Sequence, residues 1–257
     1  MYRRSVLLYA CLTVLFVGVA GPPVFAIKPN TFEPVAVVEL FTSEGCSSCP
    51  PADRLLGEIE ADARASQRRI FPLAFHVDYW NYLGWKDPFS SAAYTDRQRN
   101  YRAAFGLRYV YTPQIISGGT QQSVGSHRGK VLRGIEKART AQQVKVDIGH
   151  PDKKTALVTI GAGKASAGKA TVWLFAYDSE HSTDIRRGEN SGVKLVNTNV
   201  VRAMRRIGEW NGRKLQISVP IAMMGLEKQD GCAIVVQSER GGTIYGAADF
   251  PLMKKGS

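Results

Sequence analysis

The chain has 257 residues, of which 44% are hydrophobic and 22% are charged, and its formal net charge is +12 at pH 7. This length and apolar content leave room for a sizeable core, in one large domain or two small ones. From Arg54 to Lys254 the basic residues are spread without a long block, which indicates a solvated basic surface and argues against nucleic acid as a partner.

The first 26 residues have the pattern of a secretory signal peptide. Arg3 and Arg4 precede an apolar run at 6–20, and small residues mark a cleavage point after Ala26. The run is shorter than the roughly 20 apolar residues that cross a bilayer, and Gly-Pro-Pro at 21–23 interrupts it. We therefore expect a periplasmic or secreted protein with no stable membrane span once the leader is removed.

The first half of the mature chain alternates predicted strands and helices. Residues 35–41 form a short β-branched run that is typical of a buried strand, and residues 70–77 form another. Between them, apolar residues recur at helical spacing and predict one buried helix face: Ala52, Leu55, Leu56, Ile59 and Ala63.

A second helix is predicted from a cap at Ser90 or Ser91 to a stop near Phe105. Segments 114–117 and 121–124 flank two glycines and predict a hairpin. A third predicted helix closes this half of the chain.

The pattern of apolar and polar residues changes near residues 140–143. Beyond that point, polar residues and glycines separate short apolar or alternating runs at 144–148, 156–160, 171–177, 215–219, 233–237 and 243–245. We therefore expect two domains, 27–142 and 143–257, of which the second is all-β and most simply a small sandwich.

Two cysteines stand at C-x-x-C spacing between the first predicted strand and the first predicted helix. Cys46 and Cys49 can close a small disulfide ring or share a soft metal ion. Disulfides persist outside the cytosol, so a bond between these two is the most natural pairing. Cys232 is then left over, and because it begins an apolar run we expect a buried, inert thiol and no disulfide framework across the protein.

The order of elements over residues 35–140 resembles the thioredoxin fold. The dithiol lies between the first strand and the first helix, and Thr112-Pro113 opens the hairpin where that fold has a cis proline. Glu39 lies near the position of a buried carboxylate that transfers protons in some thioredoxins. The resemblance implies an α/β thioredoxin-like domain, here followed by the small all-β domain.

The same resemblance implies roles for the residues around the dithiol. Cys46 would be the nucleophile, and Cys49 would resolve the mixed disulfide. A cis peptide bond at Thr112-Pro113 would leave the preceding backbone free to pair with an extended substrate.

Four stretches resemble a bacterial family of exported proteins catalogued as domain of unknown function 1223. They lie in both halves of the chain, at 38–53, 75–80, 111–114 and 187–192. This resemblance covers essentially the whole mature chain, and it implies a fold more than an activity.

Two prolines bear on the reactivity of the dithiol. Free N–H groups and the dipole at the start of a helix stabilise an anion and so lower the pKa of a cysteine. Pro50 and Pro51 favour a helix that begins at Pro50, with Ser48 or Cys49 as its cap. Cys46 would then stand further from the dipole, and its thiolate would be less stabilised.

Further candidate residues each allow a structural interpretation as well. Glu39 is a buried proton acceptor or an edge-facing side chain, and Glu44 either raises a thiol pKa by repulsion or is an exposed loop glutamate. His76 and Asp78 share one face of a strand end, where they line the dithiol or form a structural pair.

The loop after the second strand is rich in aromatic residues. Trp80, Tyr82 and Trp85 form either an apolar wall for a partner peptide or a lid packed on their own domain.

The leading functional hypothesis is a thiol-disulfide oxidoreductase without a cofactor that acts on protein or peptide thiols and disulfides. The rival is a binding or scaffold module with a static bond between Cys46 and Cys49. A soft-metal site that adds His76 is a weaker alternative, because a closed zinc site needs four ligands.

Overall fold

The computed structural model describes residues 33–150, 152, 154–165, 168–224, 228–239 and 241–251. The predicted leader, residues 1–26, lies outside this part of the chain. The described residues form three α-helices and eleven β-strands. None of these helices is long and apolar enough to cross a membrane.

Strands and helices alternate in the first half, as predicted. The elements are β1 (Ala36–Thr42), α1 (Pro50–Ala65), β2 (Ile70–His76), α2 (Ala92–Ala104), β3 (Gln114–Ser117), β4 (Gln121–Val124) and α3 (Arg128–Arg139). The five apolar residues predicted for one face of α1 are all buried. The Ser91 side chain accepts a hydrogen bond from the Ala93 N–H, and Gly106 follows α2 with a φ of +64°, so the predicted start and stop of α2 are confirmed.

The second half consists of strands and one short 3₁₀ helix. The elements are β5 (Val146–Gly149), β6 (Thr155–Ile160), β7 (Ala170–Asp184), β8 (Lys194–Trp210), β9 (Leu215–Pro220), the 3₁₀ helix (Ile221–Met224), β10 (Gly231–Ser238) and β11 (Ile244–Pro251). Each predicted run coincides with a strand, but β8, the longest of the described strands, was not predicted. Exposed arginines such as Arg202, Arg205 and Arg206 interrupt its apolar positions.

Eight strands from both halves share one sheet, in the order β11-β10-β7-β8-β2-β1-β3-β4. β2 runs parallel to β1, and β3 runs antiparallel to it. β8 joins β2 through a parallel pairing of Ala74 with Val200. The change in residue pattern near 140–143 therefore does not interrupt the large sheet. The division of the mature chain into two domains stays a prediction.

The remaining strands, β5, β6 and β9, form a small antiparallel sheet. Val158 and Val219 from this sheet share an apolar cluster with Leu174 on β7 and Ile234 on β10. Two sheets therefore pack face to face in the second half, as a sandwich requires. One of them is the end of the large sheet.

The two faces of β1 meet different layers, because side chains alternate along a strand. Val38 and Leu40 pack with apolar residues of α1 and α3. Val37 and Phe41 pack in a separate cluster with residues of α2, β7 and β10. Glu39 shares the face of Val37 and Phe41, so it points away from the layer that holds α1.

Candidate functional site

Both cysteines of the C-x-x-C motif lie in the turn between β1 and α1. Cys46 and Cys49 form a disulfide, with their Cα atoms 5.4 Å apart. The Cys49 N–H donates to the Cys46 carbonyl at 3.2 Å, and α1 begins at Pro50 with Cys49 as its N-cap. The helix start that the prolines predicted is confirmed, so Cys46 lies ahead of the helix.

The disulfide is buried. Cys46 is 2% exposed and Cys49 is 0% exposed, so both residues are shielded from solvent. Little of Cys46 is therefore open to a reagent or a substrate.

Thr112 and Trp80 are brought to the dithiol from outside its own segment. The Thr112 hydroxyl donates to Cys46 Sγ at 3.3 Å, and Trp80 Nε1 donates to Thr112 Oγ1 at 2.7 Å. The Thr112–Pro113 peptide bond is cis. Of the residues singled out from the sequence, Thr112 thus contacts the sulfur of Cys46 directly, and Trp80 contacts Thr112.

The connection between β7 and β8, residues 185–193, is hydrogen-bonded to the backbone of the dithiol segment. Asn190 Nδ2 donates to the carbonyls of Glu44 at 2.8 Å and Cys46 at 3.0 Å. Glu189 Oε2 accepts from the Ser47 N–H at 3.3 Å. Sequence reasoning had placed 187–192 among the family-like stretches without giving it a role.

Glu44 is buried, so its interpretation as an exposed loop glutamate is wrong. Its carboxylate accepts hydrogen bonds from Trp85 Nε1 at 3.0 Å and from Asn197 Nδ2 at 2.8 Å. Burial raises the pKa of Glu44, and repulsion from Asp87 adds to the effect. Trp85 therefore helps to hold the dithiol segment, whereas Tyr82 is 78% exposed.

His76 forms a buried pair with Asp87, a residue that the sequence did not single out. Nδ1 of His76 lies 2.7 Å from Asp87 Oδ2, which also accepts from the Glu44 N–H at 2.8 Å. Burial works against the charged form of each partner, but their mutual attraction outweighs it, so the pKa of His76 is raised and that of Asp87 is lowered. His76 Nε2 is buried without a hydrogen-bond partner among the described residues.

Asp53 is a second buried acid that sequence reasoning missed. It lies in the first turn of α1, and its Oδ1 accepts from the Thr42 hydroxyl at 2.7 Å. Burial raises the pKa of Asp53 to about 7, against a smaller opposing effect of His76. The sequence feature that could have identified Asp53 is its position, one helical turn after Cys49 and beside the apolar face of α1.

The structure places Glu39 and Asp78 elsewhere. Glu39 forms a buried ion pair with Arg97, at 2.6 and 3.0 Å, and accepts from the Tyr101 hydroxyl at 2.6 Å. Asp78 accepts from the Thr95 hydroxyl at 2.6 Å. These partners lie on α2, and none of the hydrogen bonds found for the two acids within the described chain reaches the dithiol segment.

The described residues offer no further ligands for the soft-metal site that was the weaker alternative. Among the described residues, no three His, Cys, Asp or Glu side chains are grouped so that they could hold a metal ion. The two thiols are joined to each other, and His76 is paired with Asp87.

These features define a mixed α/β protein with a large sheet, a second small sheet and a buried Cys-x-x-Cys disulfide at the end of β1. The chain belongs to the family described as protein of unknown function DUF1223, whose model matches residues 37–237. The family resemblance noted in the sequence is thereby confirmed. No curated protein matches the chain.

Two solved structures are similar to this chain. The crystal structure of protein AGR_C_4864 from Agrobacterium tumefaciens is 31% identical, with a TM-score of 0.73, and the match covers 88% of this chain and 99% of the other. HBP35 of Porphyromonas gingivalis is 14% identical, with a TM-score of 0.59, over 87% of this chain and 77% of the other. The second likeness concerns the fold alone.

Proposed function

We propose that this protein exchanges disulfides with the thiols of exported proteins or peptides, through a thioredoxin-like arrangement of residues 35–140. One observation carries the proposal. The Cys46–Cys49 disulfide lies at a strand-to-helix corner, and a hydroxyl from a distant loop, that of Thr112, donates to Cys46 Sγ. A donor at that sulfur favours the thiolate over the thiol, and the thiolate is the form that attacks disulfides.

The exchange takes place in two steps. A substrate thiolate attacks Cys46 Sγ, a mixed disulfide forms, and the electron pair of the broken bond leaves on the Cys49 sulfur. A second substrate thiolate then attacks the substrate sulfur and releases Cys46. Two substrate thiols become one disulfide, and their two electrons and two protons pass to Cys46 and Cys49. The same steps in reverse reduce a substrate disulfide.

Equilibration in glutathione buffers tests the proposal. The fraction of reduced dithiol is measured by alkylation and mass spectrometry, and turnover of a disulfide-bonded peptide is measured in parallel. We expect the wild type to titrate and to turn over the peptide, and Cys46→Ser to do neither. Cys232→Ser is the matched control, because its thiol is buried away from the site. A dithiol that cannot cycle, or equal turnover by Cys46→Ser, contradicts the proposal.

A static disulfide is a second candidate, and the burial of both cysteines favours it. A pair that stays oxidised in buffers poised below about −300 mV would identify a structural bond, because such bonds resist the glutathione pool. In that case the hydrogen bonds from Asn190 to the dithiol segment serve stability alone.

Export is part of the same proposal. It is supported by the signal-peptide pattern of residues 1–26, in which small residues mark a cleavage point after Ala26. Expression of the full chain in a bacterium with a periplasm tests it directly. The protein recovered from that compartment should begin at Ile27, as measured by intact mass. Full-length protein confined to the cytoplasm would contradict export without affecting the exchange chemistry.

A further inference from the structure

The large sheet opens between β2 and β8. Within the described residues these two strands pair only at Ala74 and Val200, whereas β1 pairs with β2 along its whole length. β8 leaves the extended conformation at Asn199, whose φ is +47°, and the Asn199 side chain donates to the Pro72 carbonyl at 2.9 Å. Pro72 itself has no N–H for a neighbouring strand. The first half of β2 therefore borders a gap in the sheet.

A cavity of about 360 Å³ fills this gap. Its wall combines the last turns of α1, the first half of β2 and side chains of β7, β8, β10 and β11. Ile70, Leu73 and Ala233 supply apolar surface. The volume lies in the lower part of the range of small-ligand sites, roughly 300–1,000 Å³. The cavity borders the amino end of β2, and the dithiol follows the carboxyl end of the parallel strand β1, so the two lie at opposite ends of these strands.

Two buried side chains on the wall hold polar atoms without partners. Asn199 is 4% exposed, and its Oδ1 atom has no hydrogen-bond partner among the described residues. Tyr177 is 8% exposed, and its hydroxyl likewise makes no hydrogen bond within that part of the chain. Burial and the neighbouring Asp249 carboxylate raise the pKa of Tyr177, so the hydroxyl keeps its proton. Buried polar groups are almost always hydrogen-bonded in folded proteins, so these atoms point to an occupant of the cavity.

The charged groups of the wall differ in depth. Glu60 is partly buried and accepts hydrogen bonds from Asn199 Nδ2 at 3.2 Å and from Arg64. Asp249 is also partly buried, and it makes no ion pair with another of the described residues. Burial raises the pKa of Asp249, and the nearby Arg69 and Arg64 oppose that rise. The Arg64 side chain is 68% exposed, so the two acids are more enclosed than its guanidinium group.

We propose that this cavity binds a free α-amino acid with an apolar side chain, a role separate from the proposed disulfide exchange. The ammonium group of the ligand pairs with the Asp249 carboxylate and donates to the Tyr177 hydroxyl. The carboxylate of the ligand pairs with the guanidinium groups of Arg64 and Arg69 nearer the mouth. The side chain of the ligand packs on the apolar wall that includes Leu73.

A zwitterion fits the charges of the wall better than an ion of one sign. The carboxylates of Glu60 and Asp249 balance the guanidinium groups of Arg64 and Arg69, and Arg68 pairs with an acid outside the cavity. A simple amine would leave the arginines without a new partner, and a simple carboxylate would be drawn toward two acids. An amino acid supplies one charge to each set, and buried charges need such pairing.

Three probes that differ in one group each test the proposal by isothermal titration calorimetry. L-leucine carries both charges, 3-methylbutylamine lacks its carboxylate, and 4-methylpentanoate lacks its amine. We expect L-leucine to bind and each analogue to bind about tenfold more weakly or less, because each loses one set of charge-assisted hydrogen bonds. No heat of binding with L-leucine or with any other apolar amino acid overturns the proposal. Equal affinity for the amine and for L-leucine overturns it as well.

Variants of the wall connect the binding to this cavity. Asp249→Asn removes a charge with little change of shape and should weaken L-leucine binding about tenfold or more, and Tyr177→Phe should weaken it about fivefold. Asp62→Asn is the matched control, because Asp62 is an exposed acid of α1 that does not line the cavity. It should bind as the wild type does. Equal affinity in all four proteins, or an equal loss in Asp62→Asn, contradicts the assignment.

A measurement on the wild type avoids variants that fail to fold. Nuclear Overhauser effects between the methyl groups of bound L-leucine and the protein locate the ligand directly. We expect them to reach Phe71 and Leu73, both of which line the cavity. Effects confined to residues outside the cavity overturn the proposal. The result does not depend on whether the dithiol exchanges disulfides, so this test and that of the proposed function fail separately.

Discussion

Asn190 donates a hydrogen bond from its side-chain amide to the backbone carbonyl of Cys46, a residue 144 positions earlier in the chain. The same amide reaches the carbonyl of Glu44. Since Asn190 is 6% exposed, both contacts are shielded from water. The turn that carries the dithiol is therefore held by a residue from the other half of the protein.

Replacement of Asn190 by alanine should loosen this turn. Two buried carbonyls lose their donor, which costs about 2 kcal/mol of unfolding free energy. Urea unfolding measures the loss, and Asn100→Ala, on an exposed position of α2, is a matched control that should change stability much less. The Cys46–Cys49 bond of Asn190→Ala should also be reduced faster by dithiothreitol. Unchanged stability and unchanged reduction rate would mean that the amide does not hold the turn.

The ion pair of Glu39 and Arg97 should behave as a coupled unit. Removal of one partner leaves the other buried and uncompensated, so Glu39→Gln and Arg97→Met should each destabilise the protein by about 3–5 kcal/mol. The double variant should lose about 2 kcal/mol less than the sum of the single losses. Urea unfolding of the four proteins checks this, and strictly additive losses would contradict it.

Asp53→Asn should change how stability depends on pH. Folded wild type keeps the Asp53 proton up to about pH 7, whereas the unfolded chain releases it near the ordinary pKa of 3.8. Between these values the folded state binds more protons, so this residue's contribution to stability is fully present below about pH 4 and is lost as the pH rises to about 7.

Asparagine cannot ionise, so the free energy of unfolding of Asp53→Asn does not fall in this way as the pH rises. The stability of Asp53→Asn relative to wild type should therefore improve from pH 4 to pH 8, by at most about 4 kcal/mol. Urea unfolding at both pH values measures the difference. A difference that does not change with pH would show that Asp53 titrates normally in the folded protein.

The three cysteines of the described chain should differ in reactivity. After reduction, alkylation under native conditions should modify Cys46 first, because it is the more exposed residue of the pair. Cys232 should react only after unfolding, because it is fully buried and burial raises its pKa to about 12. Peptide mapping with and without denaturant checks the order, and native labelling of Cys232 would contradict it.

Local patterns predicted much of the fold because the forces behind them are local. The apolar spacing from Ala52 to Ala63 is itself the buried face of α1, and the prolines after Cys49 decide where that helix begins. The hairpin of β3 and β4 follows from its glycines in the same way. β8 escaped prediction because its burial depends on neighbouring strands and not on its own apolar content.

By itself, the sequence determined the C-x-x-C pair, its place between a strand and a helix, and the late start of that helix, since each depends on residues within a few positions of one another. Only the tertiary structure decided that the pair is covered, that Glu44, Asp53, His76 and Asp87 are buried close to it, and that Glu39 is turned away. Those outcomes depend on burial and on contacts between residues up to 153 positions apart. A carboxylate's pKa follows from what surrounds it in space, and no spacing along the chain encodes that environment.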